Sequence, residues 1–358
     1  MLSIHALQPK KEEETKMALQ PLPGFKSLTT HHCVTGSMRH IYEFHDYPIS
    51  EDLLLGLGAG VGFVYWHMKG QPPFYGGRAN VGRLGEEGLE KTAGRRTSVR
   101  VESFHTSSAR KAEKALLEML DAGEPVMIYV DMGFLPYFDL PEGYHFGGHA
   151  VVVCGYDPET RQVLIADRDE ELHPVSLEDL EKARGSAFKP LPPRHKWYTF
   201  DFSGKRPPQP REIQQAIREV ATGMLEPPIT NLGVKGIRKA AQRTLKWPEI
   251  MDEEQLRYAC FNVFVFIDAV GGTGGGIFRY MYGRFLREAA EIAGDDRLIP
   301  IADEFQRIGD KWQVVAGMFK SASQADDPAA ALPKIGPLLL ELADQEEAAW
   351  SRLYEMVH

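Results

Sequence analysis

Cys33 stands in "HHCVTGSMRH" among cap-type residues, with Thr29 and Thr30 before it and Gly36 and Ser37 after it, in a stretch that reads as a turn into a helix. A thiol at such a place has an option that a core thiol lacks. Unpaired backbone N–H groups and the positive end of the helix dipole favour the thiolate, which is the nucleophilic form. A nucleophile needs a base, and His149 offers an imidazole at the mouth of the apolar run "FGGHAVVVCGYD", behind two glycines that let another backbone come close. The next run, "VLIADRD", returns a carboxylate to the same end of the hairpin. With a loop of three or five residues, Asp167 faces Val151 and lies diagonal to His149, while Asp169 lies directly opposite His149. A loop of even length turns Asp167 to the other face. Either carboxylate would hold the imidazole in the tautomer that accepts the thiol proton, which is the logic of covalent catalysis by a nucleophile, a base and an orienting acid.

Such a set needs an early helix and two adjacent strands. Ser50 is an N-cap residue ahead of the apolar run "EDLLLGL", and "TSSARKAEKALLEMLDAG" opens on cap residues and carries Ala and Leu at helical spacing. Short β-branched runs follow: "PVMIYVDM", "GHAVVVCGYD" and "QVLIADRD", the last two joined through "DPETRQ", with "KWYTFDF" as a closing strand. Composition shifts at "SGKRPPQP", residues 203–210, after which apolar residues recur every three or four positions almost to the end. The expected organisation is a charged leader over 1–25, a mixed catalytic domain over 26–205 and a helical domain over 206–358. The fold class is α+β followed by an all-helical region.

Composition narrows the function. A formal net charge of -9 argues against a general nucleic-acid binder, and three widely spaced cysteines suit neither a disulfide framework nor a CxxC zinc site. The leader lacks the apolar core of a secretory signal, and the longest apolar windows fall short of the roughly 18 residues a membrane helix needs, so a soluble, cytoplasmic protein without membrane contact is expected. His31, His32, His40 and His45 match no common zinc spacing, and no metal is expected. "GGTGGG", residues 271–276, lacks the Gly-Lys-Ser/Thr ending of a phosphate loop and reads as a hinge between helices. Arg279, Arg284 and Arg287 share one side of a helix and read as solvated arginines, with an acidic carrier or a phosphate as the alternative. Trp247, Trp312 and Trp350 are expected in the helical core.

The segments "HHCVTGSM", "SEDLLLGLGAGVGFVYW", "YVDMGFLPYF", "FGGHAVVVCGYD" and "IADRD" resemble the N-terminal domain of the butirosin biosynthesis protein H family. "RTLKWPEI" and "GGTGGGIFRYMYGRFLREAA" are similar to the uncharacterised helical domain that often follows it, so the resemblance spans residues 26 to about 350. It implies a papain-like cysteine protease/acyltransferase fold. The implied activity is transfer of an acyl group from an acyl carrier protein thioester to an amine. Matching motifs make Cys33 the nucleophile, His149 the base and Asp167, ahead of Asp169, the orienting carboxylate. Glu51, His32, Asp131 and Tyr137 would line the substrate site, although Glu51 also suits the first turn of a helix on dipole grounds alone.

Papain-like peptidases set a Gln before the cysteine for the oxyanion, and "SLTTHH" holds none, which leaves the Cys33 amide with His31, His32 or Ser27. No cofactor is implied, the phosphopantetheine arm of the donor being substrate. The implied partners are an acyl carrier protein or another acyl thioester donor and a small-molecule amine acceptor, with homo-oligomerisation through the helical domain. The competing expectations are a cysteine peptidase or amidase, in which water takes the acyl group, and a degenerate papain-like domain used as a binding scaffold.

Overall fold

A computed structural model of the chain describes residues 19–68, 71–82 and 87–357. Helices α1 (Cys33–Phe44) and α2 (Glu51–Leu57) lead into the hairpin β1 (Val61–Trp66) and β2 (Phe74–Arg78), followed by α3 (Leu89–Arg96). Then come β3 (Arg100–Phe104), α4 (Ala109–Asp121), β4 (Val126–Val130), β5 (His149–Asp157), β6 (Gln162–Ala166), β7 (Leu172–Ser176), α5 (Leu177–Gly185) and β8 (Trp197–Asp201). The remainder is helical: α6 (Pro210–Leu225), α7 (Gly233–Thr244), α8 (Glu253–Ile267), α9 (Arg279–Ala293), α10 (Leu298–Gln324) and α11 (Leu332–Met356). Architecturally this is a mixed α/β molecule with two antiparallel sheets and an all-helical C-terminal region. Among the described residues no helix is long and apolar enough to cross a membrane.

The six-stranded sheet runs in the order β3-β8-β4-β5-β6-β7. Its central strands are apolar on both sides because both faces are covered. Met127, Ala150, Val152, Leu164 and Ala166 join Val34, Met38 and Ile41 of α1 in one buried cluster. Ile128, Val151, Val153, Val163 and Ile165 join Leu116 and Leu120 of α4 and Leu180 of α5 in another. That split is the period-2 alternation of a strand expressed as two cores.

The hairpin that carries the base and the carboxylate corrects one expectation and preserves its result. Asp157 pairs with Gln162, so the loop holds four residues, 158–161, an even number. Nearer the site, however, Val152 pairs with Ala166, because the register slips by one between Val153 and Gly155. This bulge supplies the residue that the loop lacks, and continuing the ladder sets Asp167 across from Val151. The Leu22 amide donates to the Cys154 carbonyl at the bulge, 2.6 Å away. A Cβ on Gly155 would stand 2.4 Å from the Gln20 carbonyl, so glycine admits this close approach. The described end of the leader therefore packs on β5 and buries Phe25, while residues 1–18 lie outside the described residues.

The hairpin β1–β2 lies among the C-terminal helices. Val64 bridges Leu232, the Tyr65 amide donates to the Asn231 carbonyl (2.8 Å), and the Phe63 ring stacks on Trp312 at 5.6 Å. Trp247, Trp312 and Trp350 are fully buried in the core that this hairpin shares with α7, α10 and α11. The composition shift at 203–210 thus marks no gap in packing, since one cluster continues from α1 to Val357. Helix α10 starts at Leu298, with Pro300 tolerated in the first turn where its missing N–H costs no helical bond.

Candidate active site

Cys33 is the first residue of α1, with His32 as its N-cap. The turn before it is pinned from below. Glu51, the first residue of α2 and only 4% exposed, accepts the His31 amide at 2.8 Å, the His32 amide at 2.6 Å and the Thr35 hydroxyl at 2.9 Å. A carboxylate at the start of a helix meets the positive end of its dipole, and hydrogen bonds to a charged acceptor are the stronger kind. Ser50 fixes Glu51 in turn, its hydroxyl oxygen accepting the Leu53 amide at 2.9 Å.

His149 opens β5 and Asp167 follows the last residue of β6, so both sit at the sheet end where α1 begins. His149 Nε2 lies 2.8 Å from Asp167 Oδ2, with both residues buried. Nδ1 is the nitrogen left to face the Cys33 thiol, whose ionisation His149 favours. The Tyr137 hydroxyl donates to Asp167 Oδ2 at 3.0 Å. Asp169 faces elsewhere, at 3.0 Å from His173 Nε2.

Burial alone would lower the His149 pKa, but the Asp167 carboxylate and the Cys33 sulfur raise it to about 10. For Cys33, burial pushes upward and the adjoining imidazoles outweigh it, holding the thiol well below its ordinary 9.0. Burial also opposes ionisation of Asp167, and the His149 charge overcomes it, lowering that carboxyl. Both shifts favour the thiolate and imidazolium forms of the pair. Cys154 and Cys260, with no such neighbours, are pushed by burial to about 12.

Residues 32–168 match the family described as Butirosin biosynthesis protein H, N-terminal, and residues 178–353 match Domain of unknown function (DUF4872). The first of these regions is similar to the butirosin biosynthesis protein H family, with the domain of unknown function after it. No curated protein matches the chain. The match to the butirosin protein H N-terminal domain suggests a biosynthetic enzyme, and the matched region contains Cys33, His149 and Asp167.

Two imidazoles flank the thiol in this butirosin protein H-like region, and their pKa values shift in opposite directions. Arg78, the last residue of β2, brings Nη1 to 2.6 Å from His32 Nε2. A guanidinium only donates, so Nε2 is an acceptor and the ring proton sits on Nδ1, 3.0 Å from the Thr35 hydroxyl. The Thr35 amide, 3.3 Å from that same Nδ1, is then a neighbour and not a donor to it. The chain runs Arg78 to His32 to Thr35 to Glu51. Burial and the Arg78 charge together lower the His32 pKa, whereas that of His149 is raised.

Arg78 and Thr35 were not anticipated. Their only signal is a lone arginine after the two glycines of "FYGGR" and a threonine one turn before Arg39. Nearby, Glu90 accepts the hydroxyls of Tyr129 and Tyr198, each at 2.8 Å, and the Lys196 ammonium lies over both rings.

Of the expected substrate-site residues, His32 and Tyr137 stand beside the triad, while Glu51 and Asp131 face inward. Asp131 is fully buried and accepts the Gly133 amide (3.1 Å), the Phe146 amide (3.0 Å) and the Ser186 hydroxyl (2.6 Å), with His145 Nδ1 at 3.0 Å. It ties down the loop leading into His149. Among the oxyanion candidates, the His31 and His32 amides are taken by Glu51, and the Ser27 hydroxyl donates to the Asp169 carbonyl at 2.7 Å. Among the arginines of α9, Arg279 is a correction, being fully buried against Glu346, while Arg284, which grips Asp52 at 2.6 and 2.9 Å, and Arg287, which pairs with Asp303, keep part of their side chains in solvent as expected. The histidines of the early segment are engaged separately, His40 with the Leu28 amide and His45 with Glu124.

Proposed function

We propose that the protein is a papain-like, cysteine-dependent acyltransferase that carries an acyl group from a carrier-protein or other thioester to an amine. The carrying observation is Cys33 at the first position of α1, electrostatically coupled to the His149 imidazole, whose Nε2 lies 2.8 Å from the buried Asp167 carboxylate. The Cys33 thiolate attacks the thioester carbonyl, and the oxyanion is received by the Cys33 amide, which the helix leaves without an acceptor. Collapse expels the pantetheine thiolate, which takes the His149 proton and leaves an acyl-Cys33 with neutral His149. The acceptor amine then attacks, His149 takes its proton, and Cys33 departs as thiolate, restoring the starting ion pair. Asp167, braced by Tyr137, holds the ring in place throughout. The phosphopantetheine arm enters as substrate, and no resident cofactor is used.

Intact mass after incubation with an acyl-pantetheine thioester tests this directly. A single acyl adduct is expected on the wild type and none on Cys33→Ala, with His149→Ala slowed by about a hundredfold or more. Aminolysis of the adduct should then far outpace hydrolysis. Faster release to water, or cleavage of a peptide, would establish a hydrolase instead.

A further inference from the structure

Residues Gly274 to Phe278 all have positive φ, at 66°, 84°, 55°, 48° and 72°. Three are glycines, for which this backbone is easy. Ile277 and Phe278 are not, and a β-branched residue at φ 48°, ψ 50° persists only when its surroundings over-determine it. The surroundings here are specific. A Cβ on Gly276 would lie 2.7 Å from the Gly309 backbone, so the turn rests directly on α10, and the Gly276 amide donates to Gln313 at 2.8 Å. Behind the turn is Arg279, whose Nη1 donates to the Ile277 carbonyl at 2.9 Å and to the Gly62 carbonyl of β1 at 2.8 Å. Its Nε and Nη2 meet the two oxygens of Glu346, each at 2.8 Å, and the indoles of Trp312 and Trp350 donate to the same carboxylate at 2.7 and 2.8 Å.

A buried ion pair is a poor source of net stability and is better at fixing one arrangement. This one fixes the turn against the catalytic end of the molecule. Ile277 and Phe278 press on Gly77, where a Cβ would stand 2.7 Å from both side chains, and Gly77 precedes Arg78. The Phe278 ring meets the His32 ring edge-on, 5.2 Å between centroids at 81°. We propose that the Arg279–Glu346 pair is a clamp that holds this left-handed turn against Gly77 and His32, making Ile277, Phe278, Arg279 and Glu346 positioning residues for Cys33. The inference rests on Cys33 being the nucleophile of the proposed reaction. The groups facing Cys33 are His149 with Asp167 behind it, His32 with Arg78, and Tyr129 with Glu90 behind it. The turn touches the second of these sets, and its release loosens the wall that aims the sulfur at His149.

The test is the pH profile of Cys33 alkylation by iodoacetamide, read by intact mass on the full chain, for wild type, Ile277→Gly, Phe278→Leu and Arg279→Lys, with circular dichroism as the check on folding. The folded variants should show a midpoint raised by about one pH unit, and so an alkylation rate about tenfold lower below the midpoint. Profiles of folded Ile277→Gly and Phe278→Leu that superimpose on wild type would overturn the proposal, and if Arg279→Lys does not fold these two decide. Alkylation requires no acyl donor. Shifted profiles without any acyl-enzyme would sink the transferase reading alone, and normal acyl transfer with unshifted profiles would sink the clamp alone.

Discussion

At the scale of the residue, the decisive feature is the division of labour between two histidines. His149 is raised because Asp167 and Cys33 favour its cation, and His32 is lowered because burial and Arg78 disfavour it. A raised imidazole contributes stability that is complete below its ordinary 6.5 and is lost as pH climbs through about 10. Asp167, lowered, contributes stability that is present above its ordinary 3.8 and is lost on acidification. Thermal unfolding followed across pH should therefore show wild type losing its margin over His149→Ala toward alkaline pH and over Asp167→Ala toward acid. Activity separates the two acids: Asp167→Ala should lower acyl transfer by about a hundredfold, because the ring loses its anchor. Asp169→Ala, whose carboxylate meets His173 and the Glu171 amide and not His149, should stay within about twofold. Equal losses in both variants would return the choice of orienting carboxylate to Asp169.

Elements deliver these residues, and the first turn of α2 does so for the nucleophile. Replacing Glu51 by Ala strands three donors and should cost about 1–3 kcal/mol in chemical denaturation, with Gln recovering part of the loss. What was legible beforehand was local: the Ser50 cap, the helix at Cys33, and the short β-branched runs, each written within a few neighbouring residues. Illegible features depend on partners distant in the chain. The bulge at Cys154 is held by Leu22, from the stretch assigned to a loose leader, so counting the loop alone placed Asp167 correctly for the wrong reason. Arg78 gains meaning only when β2 folds back on α1, and residues 276–278, at the end of the expected hinge, adopt a left-handed turn because Arg279 and α10 override propensity. Asp131 shows the converse: motif resemblance found it, and its four internal partners give it a supporting place in the loop before His149.

Across the whole molecule, the helical region shares one hydrophobic core with α1 and the β1–β2 hairpin. Removing residues 206–358 strips Phe63 and Tyr75 of Trp312, Trp247 and Phe319, and leaves the Tyr65 amide without Asn231. The fragment 1–205 should therefore show no cooperative unfolding transition and should bind a hydrophobic dye; a folded, monomeric, active fragment would contradict this. Helix α9 docks on α2 through Arg284 and Asp52, one residue from Glu51, so damage there reaches the nucleophile's support. The placement of β1 and β2 also constrains ancestry and engineering. A chimaera spliced between β7 and α5, where the two family matches meet, would graft a foreign helical bundle around this hairpin and a foreign β8 between β3 and β4. Both halves of such a gene must change in concert, so relatives should exchange them only as a matched set.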